Sequence, residues 1–298
     1  MKNPLSLSEL TVVAERVRGI EHRVRTDQEM SALLADLGDY QQSFGIQPGF
    51  KLCWFRACKL RDNEKLTNLH RLIYPPNPPD ASGRANLKGQ TVFYAASNKR
   101  VAFDEIESEQ GDRIGVIMVR QRPDKIKPLV IVGEIEAIMN SGTSILRVCE
   151  NEREIPRLLS VDPEDLAKAH FADSVMAQLF RRTDKQYQAT ALFANHFYSH
   201  GNGIVFPGVR TPWGINIALL ADHFNTHYEV ILAEEFSVAT YHGHSQYSYK
   251  SRGVSCTFAS DGTIDWLNNQ QLASTWAIQG GANVPASFMG WRVPVEWC

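Results

Sequence analysis

Arg84, Tyr94 and Glu105 fall within one dense stretch, residues 71–107, whose side chain types could carry chemistry. Arg84 sits in Ser82-Gly83-Arg84-Ala85-Asn86, where glycine permits a backbone turn and the guanidinium offers a planar fork of donors matched to phosphate or carboxylate. Aimed at a pyrophosphate, that fork makes bidentate, charge-assisted hydrogen bonds. Tyr94 ends a β-branched and aromatic run, and Glu105 brings a carboxylate to the edge of an apolar helical face. Taken singly, each has a plainer reading: a surface ion pair for Arg84, a core tyrosine with a wet hydroxyl for Tyr94, and a solvated face shared with Asp104 and Glu107 for Glu105.

The local sequence supplies the elements that hold these groups. Pro75, Pro76, Pro78 and Pro79, four prolines in five positions, exclude helix and central strand and make a stiff surface loop. Gly89 closes the Arg84 turn. Thr91 to Ala95 reads as a short buried strand ending on the phenol. Ser97 is placed to cap a helix through Val101, Ala102, Phe103, Glu105 and Ile106, with Glu105 about two turns in.

Histidines give the main competing signal. His196-x3-His200 and His223-x3-His227 each set two imidazoles one turn apart if helical, and His242-x-His244 shares a strand face. Neither helical pair carries the general base of His-Glu-x-x-His, and no Cys or Asp cluster stands at ligand spacing, so no metal is expected. Gly201-x-Gly203 lacks the third glycine of a dinucleotide fingerprint. There is no phosphate-binding Gly-x4-Gly-Lys-Ser/Thr, and Gly243-His-Ser245-Gln-Tyr247 fails the nucleophile-elbow pattern.

The ordered set Phe55-Arg56-Ala57, Gly83-Arg84-Ala85-Asn86, Val92-Phe93-Tyr94-Ala95 and Phe103-Asp104-Glu105-Ile106 resembles the RES domain, named for its arginine, glutamate and serine. Gly203-Ile204-Val205-Phe206-Pro207, Val209-Arg210 and Asn216 extend the resemblance over roughly residues 50 to 230. RES proteins are toxins of bacterial toxin–antitoxin pairs; active members degrade NAD, some by phosphorolysis, and at least one ADP-ribosylates a protein. The resemblance implies an α+β fold, an ADP-ribosyltransferase-like core of mixed strands with flanking helices. It implies NAD as substrate, cleaved at the nicotinamide–ribosyl bond by a glycohydrolase, phosphorylase or ADP-ribosyltransferase, with water, phosphate or protein as acceptor. The implied catalytic residues are Glu105, Arg84 and Tyr94, and the implied NAD contacts are Arg56, Arg84, Asn86, Tyr94, Gly208 and Asn216. The implied partner is an antitoxin with a DNA-binding domain. One departure stands out: Gly208 occupies the place of the family serine, so the hydroxyl comes from Ser199 or Thr211, or activity is altered. The alternative function is a catalytically impaired RES-like protein that binds NAD or a partner.

The whole chain is consistent with a globular protein. It has 298 residues, 43% hydrophobic, with 31 Lys and Arg against 33 Asp and Glu. A net charge of -2 gives no overall drive toward nucleic acid or anionic membrane. Five cysteines, with Cys53-x4-Cys58 too loosely spaced for zinc, are expected as reduced thiols. The first residues lack a signal-peptide core and no apolar run approaches a bilayer span, so a soluble, cytoplasmic protein of undetermined oligomeric state is expected.

Three segments are expected: an N-terminal helical segment 1–47, an NAD-binding catalytic domain 48–230, and a β-rich C-terminal extension 231–298. Ser6-x-x-Glu9 and Thr26-x-x-Glu29 are capping boxes. They open stripes of Leu10, Val13, Val17, Ile20 and of Met30, Leu33, Leu34, Leu37, Tyr40, the second ending near Gly45, that pack on the main domain. Leu52, Trp54 and Ala57 begin the β-rich part. Ile114–Val119 and Leu129–Ile135 suit a hairpin about Arg122-Pro-Asp124. Asp162-Pro163 starts a helix to about Arg181, and Lys185–Tyr198 continues helically. Strands are expected at 204–206, 215–220 and 228–241, with a β tail from Ser245 turning at Ser260-Asp-Gly262.

Overall fold

In the computed structural model, residues 5–19, 26–40, 43–44, 52–75, 78–146, 155–156, 158–184, 186–211, 214–243 and 246–267 are described. Ile20, Gly45, Pro76, Lys185, His244 and Ser245 of the sequence reading lie outside them. In chain order the elements are α1 (Leu7–Arg18), α2 (Asp27–Gly38), β1 (Ser43–Phe44), β2 (Cys53–Leu60), α3 (His70–Ile73), β3 (Val92–Ala96), α4 (Lys99–Glu105), β4 (Arg113–Gln121) and β5 (Leu129–Ile131). They continue with α5 (Glu134–Ser141), α6 (Pro163–Phe180), α7 (Gln188–Tyr198), β6 (Gly203–Pro207), β7 (Ile215–Leu220), α8 (Ala221–His227), β8 (Tyr228–Gly243) and β9 (Gln246–Ser255). The fold is α+β with mixed strand pairing.

The chain divides into two compact units that interleave along the sequence: Met1–Phe50, Asn77–Tyr94 and Pro123–His227 form one, and Lys51–Pro76, Ala95–Arg122 and Tyr228–Cys298 the other.

In the first unit, β1 pairs antiparallel with β5, β5 parallel with β6, and β6 antiparallel with β7. Both capping boxes are formed, Ser6 accepting from the Glu9 amide and Thr26 from the Glu29 amide. The stripes they start bury Leu10, Val13 and Val17 of α1 and Met30, Leu33, Leu34 and Leu37 of α2 in one core with Val175, Met176 and Phe180 of α6 and Phe193 and Phe197 of α7. Each such side chain contributes about 1.5–3 kcal/mol of transfer free energy. Helix α2 ends at Gly38, and Ser43–Phe44 forms a strand where the apolar pattern suggested further helix.

Asp162 caps α6 by accepting from the Glu164 and Asp165 amides, with Pro163 at the first helical position. Asp173, wholly buried on α6, accepts from the Gly133 amide at 2.7 Å and the Glu136 amide at 2.9 Å. It thereby caps α5 from another helix, satisfying donors that no residue of α5 serves. The expected hairpin of 114–119 with 129–135 does not form. β4 pairs with β2 and β8, whereas β5 pairs with β1 and β6. β5 ends at Ile131 and the left-handed Gly133 turns the chain into α5 at Glu134, so Ile135 is helical.

In the second unit the end of β3, through Ala96, pairs with β2, and the order continues β2-β4-β8-β9, antiparallel throughout. Its core gathers Ala57, Ala96, Val101, Phe103, Ile114, Val116, Phe236, Val238 and Tyr247. The expected β tail is present as β9 and the Gly262 turn, where Gly262 donates to Ala259 and Phe258 bridges Ile264. No helix among the described residues is long and apolar enough to cross a membrane.

Candidate functional site

The first unit holds Arg84, Asn86, Tyr94, Gly208 and Asn216. The Arg84 turn is closed by a bridge between Gly83 and Asn86, the Gly83 amide donating to Asn86 O at 3.0 Å. Tyr94, half-buried at the middle of β3, which runs on to Ala96 rather than ending on the phenol, lies under this turn. Its hydroxyl accepts from the Ala85 amide at 2.8 Å and donates to Asn86 Oδ1 at 2.8 Å. Tyr198 of α7 donates to the Ala85 carbonyl at 2.9 Å. Full burial, and then Tyr94, hold the Tyr198 phenol well above the usual tyrosine range, so it stays a donor. Gln90 and Asn195 exchange amide hydrogen bonds at 2.8 and 3.1 Å, tying the far end of the same loop to α7. Arg84 emerges from this locked turn half-buried, with its guanidinium carbon 5.5 Å from the centre of the Tyr187 ring. A cation over an aromatic face is attracted by the ring quadrupole, which helps hold the Arg84 head in place.

Gly208 follows β6 and is buried, its amide donating to the Gly214 carbonyl at 2.7 Å. It is not among the positive-φ glycines, which in the first unit are Gly89, Gly133, Gly142 and Gly201. Thr211 lies in the same turn, 1% exposed, and its carbonyl accepts from Gly214. Ser199, by contrast, is exposed at the end of α7, with its hydroxyl donating to the His196 carbonyl at 2.6 Å. Asn216, buried on β7, stands opposite Phe206 in the ladder.

The second unit holds Arg56 and Glu105. Arg56 projects from β2, half-buried, and its Nε donates to the Leu72 carbonyl at 2.8 Å. Glu105 is half-buried and is the last residue of α4, not an interior one. The N-cap is Asn98, which accepts from the Val101 amide, so the helix starts one residue later than a Ser97 cap implied. It ends in a Schellman motif. The Ser108 amide donates to the Phe103 carbonyl at 3.1 Å and the Glu107 amide to the Asp104 carbonyl at 2.9 Å, with Glu107 left-handed at φ 52°. The Ser108 hydroxyl adds a bond to the Phe103 carbonyl at 2.9 Å. Glu105 therefore sits on a fixed backbone at the negative, C-terminal end of the helix, a place that adds to the field of a carboxylate.

His223 and His227 are helical neighbours on α8, with ring centres 4.8 Å apart, whereas His200 lies in the turn past the end of α7, its ring centre 5.0 Å from that of His196. Burial, with a smaller contribution from His227, pushes His223 down to about 4. Among the described residues, no three His, Cys, Asp or Glu side chains gather to hold a metal ion. Among the described residues, Cys53, Cys58 and Cys256 are not joined in disulfides, and Cys149 and Cys298 lie outside the described residues.

Three residues around the Arg84 turn escaped the sequence reading: Tyr187, Asn195 and Tyr198. Their spacing of eight and then three is that of one helix face, so polar groups along an apolar helical stripe were the available signal. The family model described as the RES domain matches residues 54–240, more than half of the chain. No curated protein matches it.

Proposed function

Because this chain belongs to the RES domain family, which is associated with NAD use and with toxin–antitoxin pairs, we propose that it cleaves the nicotinamide–ribosyl bond of NAD as a cytoplasmic toxin. In that reaction the C1′–N bond breaks, nicotinamide leaves with the electron pair, and positive charge builds on the ribosyl ring. An oxygen of water, phosphate or a protein side chain then bonds to C1′ and gives up its proton. The single observation that carries the reading beyond the family match is the placement of Glu105 on the terminal turn of α4, where the Schellman bonds fix its backbone. A fixed carboxylate at a helix C-terminus stabilises a developing cation without reorganising.

Arg84 and Arg56 are proposed as pyrophosphate and ribose contacts, with Asn86, Gly208 and Asn216 completing the binding set. Tyr94 is proposed to act through the Arg84 turn that its hydroxyl holds. Most of the catalysis is then positioning and electrostatics. The proposed neutralising partner is an antitoxin with a DNA-binding domain. Chromatographic detection of nicotinamide from NAD, with and without phosphate, tests the reading. Release above buffer is expected, phosphate dependence names the acceptor, and no release in either condition overturns it. Gly208 in the serine position favours a second reading, an impaired protein that binds NAD without turning it over. Calorimetric NAD binding with no nicotinamide release is its mark.

A further inference from the structure

We infer that Tyr247 of β9, which lies beyond the family match ending at residue 240, is a positioning residue for Glu105. The inference rests on the proposed role of Glu105. Tyr247 is 6% exposed and its hydroxyl donates to Asp104 Oδ1 at 2.6 Å. Asp104 precedes Glu105 in α4, and successive helical side chains point about 100° apart around the axis. Holding Asp104 inward against Tyr247 therefore sets the direction in which Glu105 leaves the helix.

The rest of the contact is built to keep that bond in place. The Tyr247 ring stacks on Tyr241 at 4.9 Å and meets Phe103 edge-on at 5.6 Å, and Tyr249 meets Phe103 edge-on at 5.9 Å. At the other end of α4, Lys99 pairs with the buried Glu234 of β8 and lies 5.2 Å from the centre of the Phe236 ring. The N-terminal pair fixes where α4 begins; the Tyr247 bond fixes its rotation at the end that carries Glu105. A short helix of seven residues has little stiffness of its own, so its terminal side chain is oriented by what it packs on.

The test measures nicotinamide release and amide exchange across residues 99–108 in wild type, Tyr247→Phe, Asp104→Leu and Asp104→Asn. Tyr247→Phe is expected to lower kcat about 10-fold or more with KM for NAD changed less than about twofold, because a misdirected group costs rate rather than binding. Asp104→Asn keeps an acceptor and retains more activity than Asp104→Leu. Combining Tyr247→Phe with Asp104→Leu adds little to either alone, as expected for partners in one bond. Amide exchange in α4 speeds up in Tyr247→Phe whatever the activity. A wild type that releases no nicotinamide overturns the proposed reaction, and exchange alone then judges the clamp. Unchanged exchange overturns the clamp, and an unchanged kcat in an active protein overturns the positioning role.

Discussion

The Tyr94 hydroxyl donates to Asn86 Oδ1 at 2.8 Å, and the space beside that bond admits no side chain at residue 83, where a Cβ would collide with Asn86 Oδ1. Glycine is required here for close approach. Gly83→Ala must displace Asn86 or shift the turn, at a cost of about 1–3 kcal/mol typical of overpacking. Tyr94→Phe loses a hydroxyl that satisfies two groups of the turn and is expected to cost about 1–2 kcal/mol. Thermal melts should show both losses, and the KM for NAD should rise in each as the turn loosens.

Glu107 holds the left-handed position that ends α4, a conformation that costs a side-chain-bearing residue roughly 1–2 kcal/mol and glycine almost nothing. Glu107→Gly is therefore expected to raise stability by about 0.5–1 kcal/mol, whereas Glu107→Ala should give no comparable gain. A denaturant titration of the three proteins decides it, and equal midpoints would contradict the Schellman account.

His223 binds its proton with a pKa of about 4 when folded, against a reference of 6.5. Above pH 6.5 both states are neutral and the residue contributes no pH dependence. As pH falls from 6.5 toward 4, the unfolded chain takes up a proton that the folded one refuses, so stability drops by at most about 1.4 kcal/mol per pH unit. The fall in melting temperature across that window should be shallower in His223→Gln than in wild type; parallel curves would show that the imidazole is not held neutral.

Gly208 does not need positive φ, so a serine there meets no left-handed strain. Gly208→Ser is expected to supply a hydroxyl in the family position and raise NAD turnover. Thr211, buried in the same turn, is the better placed of the two substitutes, because Ser199 is exposed with its hydroxyl on the His196 carbonyl. Kinetics of Gly208→Ser beside Thr211→Val and Ser199→Ala separate the cases: a gain in the first supports the alignment, while a fall there with a large loss in Thr211→Val moves the hydroxyl to Thr211.

What the sequence made legible was local. Ser6 and Thr26 capping boxes, the Asp162-Pro163 start and the left-handed Gly262 turn each depend on residues within a few positions of one another, and each formed as its pattern implied. The supposed hairpin failed because alternating apolar strands carry no label for their partners, and both ladders of β4 are made by strands distant in sequence. Around the proposed site, the order of motifs singled out Arg84, Tyr94 and Glu105 as candidates. The bonds that hold them cross long separations, 113 residues from Tyr198 to Ala85 and 143 from Tyr247 to Asp104, which no window along the chain contains. Glu105 lies about two turns into α4, as its spacing implied, but the helix also stops there, and that stop was hidden because a non-glycine residue occupies the left-handed position.

The most direct measurement is nicotinamide release from NAD by purified wild-type protein and by Glu105→Gln, with thermal melts confirming that both are folded. The substitution keeps shape and hydrogen-bonding capacity and removes the charge proposed to stabilise the ribosyl cation. Release by wild type and a loss on the order of 100-fold or more in Glu105→Gln, with an unchanged melting temperature, is the expected result. Equal release by both proteins would contradict the role of Glu105, and absence of release from folded wild type would contradict the reaction itself.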